Sequence, residues 1–303
     1  GSGVVISRDI EVTPGDTEIE KGTGFAVLAK FRTDVPDEAV LVIESEGESP
    51  RRINLVKNLD DPVFGGTIPQ VERGFNYYVE FDGKQSRDFE VGVFEFPVVL
   101  HSDVDLEFPE YTGLASRRID DTRRITAVEG SKAGLEFTLN KPVVSARLVT
   151  RDGEEILLEA DAEDPSMFAA NVDLISSGRY SIALVDDAGR TNKVVQYFHV
   201  DVLPNKVPEL ALKSPGADPD VSMIEEILFQ GGVKDDFGVL RYGLGYSTGG
   251  QTPVEIEFSE AGSTVKSADF SHTLFVEEWG AQPKSLVSYY LWGEDHGADG
   301  QVR

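Results

Sequence analysis

Apolar and polar residues alternate along much of this chain, as in Phe25-Ala-Val27-Leu-Ala29-Lys-Phe31, Leu135-Glu-Phe137-Thr-Leu139 and Leu240-Arg-Tyr242-Gly-Leu244-Gly-Tyr246. A period of two places successive side chains on opposite faces, so each run predicts a strand with one buried side. Between the runs lie turn formers such as Pro14-Gly15-Asp16, Arg151-Asp-Gly153 and Thr248-Gly-Gly250, at intervals typical of antiparallel β-sandwiches. Only Val221-Ser-Met-Ile-Glu-Glu-Ile-Leu228 has a spacing that a helix could use, and it is too short to organise a fold. No βαβ rhythm is present, and the expected class is all-β.

The alternation is itself repeated. Tyr77-x-Val79-x-Phe81-Asp82-Gly83, Tyr180-x-Ile182-x-Leu184-x-Asp186-x-x-Gly189 and Tyr289-x-Leu291-x-Gly293-x-Asp295-x-Gly297 share a tyrosine, alternating positions and an acid-glycine turn. Upstream, Phe64-Gly-Gly-Thr-Ile68 followed by Gly74 matches Phe168-Ala-Ala-Asn-Val172 followed by Gly178. A spacing of roughly a hundred residues is that of one immunoglobulin-like or fibronectin-III-like sandwich. Three tandem antiparallel sandwiches are therefore expected, over 4–96, 97–203 and 204–303, with the third incomplete at its C-terminal end. Phe96-Pro97 and Leu203-Pro-Asn-Lys-Val-Pro208 form the joints. Proline stiffens such short links, which predicts an elongated rod. Tyr180 is the leading candidate for a tyrosine corner, in which the hydroxyl returns to the backbone at the start of the penultimate strand, ahead of Tyr77 and Tyr289.

Composition narrows the partners. The 303 residues carry 28 Lys+Arg against 54 Asp+Glu, a net charge of -26 that repels phosphate backbones and anionic lipid surfaces and argues against a nucleic-acid partner. With no cysteine, disulfides, thiolate metal sites and a cysteine nucleophile are excluded. No run approaches the ~18 apolar residues of a bilayer span, so any membrane contact is expected through segments outside this sequence. Gly1-Ser2-Gly3 reads as the scar of a cleaved tag on an excised fragment.

Four Asp-Asp pairs are candidate cation ligands: Asp60-Asp61, Asp120-Asp121, Asp186-Asp187 and Asp235-Asp236. Calcium wants six to eight oxygens from several segments, and no D-x-[DN]-x-[DN]-G loop is present. In Val-Asp-Asp-Ala-Gly-Arg a hairpin turn explains Asp186, Asp187 and Gly189 as well as a metal does. Asp235-Asp236-Phe237-Gly238 reads as a loop between strands, or as a cation site completed by Asp218 or Asp220; it lacks the phosphate loop and H-R-D of a kinase. His101, His199, His272 and His296 are scattered and read as solvent-facing strand residues. Arg117-Arg118 and Arg123-Arg124 suit either an acidic partner or an exposed edge strand. Trp279, Trp292, Tyr289 and Tyr290 suit either a sugar-stacking platform or a core. No G-x-S-x-G, H-E-x-x-H or phosphate loop occurs, and no catalytic or cofactor-binding residue is assigned.

Several stretches, in order, resemble a known grouping: Thr13-Pro-Gly-Asp16, Glu20-Lys-Gly-Thr23, Phe108-Pro-Glu-Tyr-Thr-Gly-Leu114, Leu139-Asn-Lys-Pro142, Ser177-Gly-Arg-Tyr180, Lys234-Asp-Asp-Phe-Gly238 and Val287-Ser-Tyr-Tyr290. They are similar to the immunoglobulin-like region of large membrane-tethered bacterial envelope proteins of unknown function. That resemblance implies a sandwich array outside the cytoplasmic membrane, between membrane-spanning segments and a long helical portion. It supplies no catalytic or ligand-binding residues. The expected role is a non-enzymatic spacer or protein-interaction module facing a protein or envelope component. The alternatives are a carbohydrate- or calcium-dependent adhesion module, or accessory domains of an envelope hydrolase.

Overall fold

The structure, a computed structural model, describes residues 5–58, 62–279 and 282–303. It is all-β and divides into two compact units, Gly1–Phe96 and Pro97–Arg303. The first contains β1 (Val5–Ile6), β2 (Ile10–Thr13), β3 (Thr17–Glu20), β4 (Phe25–Phe31), β5 (Val40–Glu44), β6 (Arg51–Asn54), β7 (Val56–Lys57), β8 (Val63–Ile68), β9 (Phe75–Phe81), β10 (Lys84–Gln85) and β11 (Phe89–Phe94). One sheet runs β2-β4-β8-β7; the other is built on β3-β11-β9-β5-β6, with β10 beside β9 and β1 beside β10. This is the ABED and GFC arrangement of an immunoglobulin-like sandwich. In β4, Phe25, Val27, Ala29 and Phe31 all face inward and the residues between them are exposed, so the sequence period translates directly into the buried layer.

The chain crosses from one sheet to the other between β2 and β3, at buried Gly15, whose φ of 78° favours glycine. There the Tyr77 hydroxyl donates to the Gly15 carbonyl at 3.0 Å and accepts from its N–H at 3.1 Å. The ring is fully buried, edge-on to Phe25 and stacked on Phe89. Burial pushes the phenol up to about 12, opposed by its hydrogen bond to Gly15.

The second unit holds two further layered pairs of sheets. The first pair is formed by β12 (Val99–Glu107), β13 (Arg117–Ile119), β14 (Arg124–Val128), β15 (Ser131–Leu139), β16 (Ser145–Val149), β17 (Glu155–Leu157), β18 (Glu159–Ala160), β19 (Met167–Leu174), β20 (Gly178–Val185) and β21 (Gln196–Leu203). Its sheets, β13-β12-β15-β19-β18 and β14-β21-β20-β16-β17, enclose Val104, Leu106, Leu135, Phe137, Leu148, Ile182 and Phe198. The second pair is formed by β22 (Glu209–Ser214), β23 (Glu226–Val239), β24 (Arg241–Thr248), β25 (Val254–Glu257), β26 (Val265–Phe275) and β27 (Val287–Glu294), ordered β22-β23-β26 and β25-β24-β27. Its buried residues form two smaller clusters, one around Phe229, Leu244 and Trp279 and one around Val233, Val239, Tyr242 and Phe270.

Three sequence expectations change. The sandwiches are not purely antiparallel, because β1 with β10, β3 with β11 and β14 with β21 pair in parallel. For β3 and β14 the reason is the sheet crossing, which lays an early strand beside the last strand of the same sandwich. The possible helix Val221–Leu228 is instead a turn that enters the 14-residue strand β23. Ile227, Phe229 and Val233 are buried at two-residue steps, while Met223 and Ile224 stay exposed; pairing with both β22 and β26 overrides the local spacing. Asp235–Gly238 lies within β23, at the register shift between Lys234 and Val239, and is a bulge rather than a loop between strands.

Candidate functional site

Asp186 sits where β20 ends and its side chain is fully buried. The turn closes through Gly189 N–H to the Asp186 carbonyl at 3.0 Å and Asp186 N–H to the Arg190 carbonyl at 2.9 Å, with Gly189 at φ 78°. The carboxylate accepts from the N–H groups of Ala188 and Arg190 at 3.0 and 2.7 Å and from Lys141 Nζ at 2.8 Å. Arg190 adds a second cation at 3.6 Å. Chiefly through Lys141, the carboxyl is held down to about 2. Asp187 is exposed beside it. The pair thus contributes one structural anion and one solvated residue: Asp186 is surrounded by donors and cations, the reverse of a cation's ligand set.

The third repeat builds the same corner differently. Asp295 is buried, and Arg303 grips it with Nε to Oδ1 at 3.0 Å and Nη2 to Oδ2 at 3.1 Å while both backbone bonds between the two residues also form. Nη2 further donates to the Asn205 carbonyl at 3.1 Å. Asn205 is buried between the two prolines of the joint; its N–H donates to Glu129 at 3.2 Å and its Nδ2 to the His296 carbonyl at 2.6 Å. Arg303 therefore ties the last hairpin to the linker before β22. Replacing it with alanine leaves a buried carboxylate without its fork, and is expected to destabilise the β22–β27 sandwich by about 2 kcal/mol in urea denaturation.

Around this anchor the two sandwiches of the second unit interlock. The bulge in β23 projects Phe237 edge-on to Tyr111, 5.6 Å between ring centres, and Tyr111 stacks on His296 at 6.0 Å. Tyr111 stands on the single turn Glu110–Thr112 and its hydroxyl donates to the Glu129 carbonyl at 3.3 Å. The bulge is shaped by buried Asp235, whose Oδ2 accepts from Phe237 and Gly238 N–H at 2.9 and 2.7 Å. Gly130, at φ 86°, meets the Ala298 carbonyl so closely that a Cβ would collide with it. A cavity of about 140 Å³ remains, lined by Tyr111, Asp235, Phe237, Gly238, Thr264 and His296.

Other residues singled out in the sequence are dispersed. Asp236 is exposed and caps Phe237 N–H at 3.1 Å, while Asp218 accepts from the Tyr289 hydroxyl at 3.0 Å and does not join Asp235. Asp60-Asp61 and Gly1-Ser2-Gly3 lie outside the described residues. Asp120 and Asp121 are exposed; Asp120 is one of four carboxylates, with Asp103, Asp105 and Glu136, around Arg118 on the edge strand β13. Arg124 pairs with Asp201 at 2.7 Å, and Arg123 donates to the Val99 carbonyl at 3.2 Å.

His101 is exposed and His199 half-buried on its strand, but His272 lies 5.5 Å from Phe258 and His296 belongs to the joint, so neither of these two is a plain surface residue. Trp279 and Tyr289 pack into the core, whereas Tyr290 and Trp292 lie over Gly245 and Gly243 on the opposite face; the four aromatics form no single platform. Arg241 covers Trp292 at 5.5 Å. Of the three repeated tyrosines, Tyr77 is the one whose hydroxyl returns to the backbone, and it crosses 62 residues to Gly15 rather than closing a local corner. The half-buried Tyr180 ring instead lies against Gly178. Among the described residues, no three His, Asp or Glu side chains are gathered for a metal ion, and no helix is long and apolar enough to cross a membrane.

Sequence reasoning missed Asn205, Arg303 and Gly130. An arginine follows the acid-glycine turn in both later repeats, at Arg190 and Arg303, and this was the readable signal. No family model matches the chain, and no curated protein matches it. Among solved structures, the I9-I11 tandem from titin is similar at 11% identity, with a TM-score of 0.29, covering 94% of each chain.

Proposed function

We propose that the chain is a non-enzymatic spacer and protein-interaction module of a membrane-tethered bacterial envelope protein, working outside the cytoplasmic membrane. One observation carries the spacer reading: the interlock of Phe237, Tyr111, Gly130 and Ala298, fixed by Asn205 and Arg303, joins the two sandwiches of residues 97–303 through packed rings, close backbone and charge-assisted hydrogen bonds. Such a joint fixes the position of one sandwich on the other. The envelope setting is supported by the sequence resemblance alone.

Residual dipolar couplings on the 303-residue chain test this reading. A common alignment tensor for the β12–β21 and β22–β27 sandwiches is expected, and two independent tensors would overturn it. Gly130→Ala, which drives a methyl group into the Ala298 carbonyl, is expected to uncouple the tensors and to open the 204–208 linker to protease, while both cores stay folded. A second reading, in which a cation orders this joint, is favoured by two buried oxygens, Asp235 Oδ1 and Asn205 Oδ1, that have no protein hydrogen-bond partner. Calorimetric titration with calcium decides it: heat abolished by Asp235→Asn supports a cation site, and no heat at millimolar ion removes it.

A further inference from the structure

The β12–β21 sandwich turns two outer sheet faces of unlike charge to its surroundings. On one, Asp105, Glu107, Glu136 and Asp173 line a hollow of about 630 Å³ with Lys132 as the one cation in its lining. On the other, β14, β21 and β20 set three basic residues in a row. Arg124 is opposite His199 in the parallel pair, and Arg179 is opposite His199 in the antiparallel one. Ile125, Phe198 and Val200, the chain neighbours of this row, are buried, so its side chains lie on the outer side. Adjacent strands are about 4.8 Å apart, which makes the row continuous.

Two arginines of this face are neutralised in place. Arg124 pairs with Asp201 at 2.7 Å, and Arg147, on β16, pairs with Glu155 at 2.8 Å. Arg179 differs: among the described residues no carboxylate pairs with it, in a chain that carries 54 acidic residues. Its guanidinium lies over the exposed Tyr197 ring instead, 3.7 Å from the ring centre. Stacking occupies the flat side of the guanidinium and leaves its N–H edge without an acceptor among the described residues. Basic groups directly opposite one another weaken a sheet when both are charged, and departures of this kind from what folding favours gather at functional sites.

We propose that the outer face of β20 and β21 is a docking site for an aspartate or glutamate side chain on an extended segment of a partner protein. The carboxylate takes two parallel hydrogen bonds from the Arg179 fork, and half-buried His199 flanks it. Tyr197 orients the guanidinium in advance, so little side-chain freedom is lost on binding. Charge complementarity selects this occupant: of Arg124, Arg147 and Arg179, the last alone has an unmatched charge. The net charge of -26 narrows it further. Screening acts over about 8 Å at physiological ionic strength, so a lone carboxylate senses mainly this face, whereas a polyanion meets the acidic remainder. The segment therefore carries one or two acids and is neither a nucleic acid nor an anionic lipid surface. This inference rests on the interaction-module reading and names the surface it uses.

Two display libraries of nine-residue peptides test it on the intact chain, one with glutamate and one with glutamine fixed at the centre and uncharged residues elsewhere. Binders are expected from the glutamate library alone. For the best of them, Arg179→Met should weaken binding about tenfold, and Arg179→Lys, which keeps the charge but not the fork, about fivefold. The Arg179 Nε–H and His199 signals should shift on binding in NMR spectra, and an unchanged β12–β21 core spectrum in both variants separates lost contact from lost fold. The proposal fails if neither library yields a binder, if the glutamine library does equally well, or if Arg179→Lys binds as the parent does. Tighter binding of heparin or of anionic vesicles at this face would also overturn it, as would Arg179 and His199 signals that shift with chain concentration alone, the mark of a second copy. The alignment tensors of the joint are measured independently, so failure here leaves the spacer reading standing.

Discussion

Tyr77→Ala is expected to bring the first unit close to unfolding, with a loss of about 4–5 kcal/mol. Two effects add. The large buried ring leaves a cavity among Phe25, Phe75 and Phe89, which surround it at ring distances of 5.2–6.2 Å. The Gly15 N–H and carbonyl also lose their partner in a buried position. Tyr77→Phe separates the two: it keeps the ring, and by the hydrogen-bond effect alone should cost about 2 kcal/mol. Urea titration of residues 1–96, followed within the whole chain by near-UV circular dichroism or NMR, checks both. A marginal domain is held by about 5–15 kcal/mol, so a loss of this size is a large share of the total. Equal stability for Tyr77→Phe and the parent would show that the bridge to Gly15 contributes nothing net.

The second large effect is at Asp186. Asp186→Ala removes the carboxylate that Lys141, Arg190 and two backbone N–H groups share, and leaves those donors facing one another in a largely closed turn. A loss of about 3 kcal/mol is expected for the β12–β21 sandwich, the cost of breaking a buried ion pair on one side. The same group sets a pH dependence. Its carboxyl is depressed to about 2 in the folded chain from an ordinary value near 3.8, so the folded state binds the proton less readily than the unfolded one. The contribution is full above about pH 4 and fades as pH falls through about 2. In Asp186→Asn that part of the acid transition should vanish, seen as a flatter stability curve between pH 4 and pH 2.

How far the sequence reaches can be judged at particular residues. The period-two runs place Phe25, Val27, Phe137 and Leu244 in cores, because alternation is a local property of a strand and survives any packing. The repeated Tyr-x-apolar-x-x-x-acid pattern likewise locates the hairpins after β20 and β27. Asp186-Asp187 is legible as a turn because aspartate and glycine supply what a tight turn requires locally. The candidate joint was only partly legible. Asp235 and Phe237 stood out as a motif, but their partner Tyr111 is more than a hundred residues away, and nothing in either stretch encodes the pairing.

By itself, the sequence determined an all-β chain of repeated strand-turn units, strongly acidic and without thiol chemistry, since period, turn chemistry and charge are sums over neighbours. The tertiary structure alone decided which of the repeated tyrosines returns its hydroxyl to the backbone, that Val221–Leu228 leads into a strand, and that Arg303 locks the last hairpin to the linker. Each of these depends on a partner group distant along the chain, and hydrogen bonds and ring contacts are selected by what folding brings within about 3–6 Å, which no local pattern specifies.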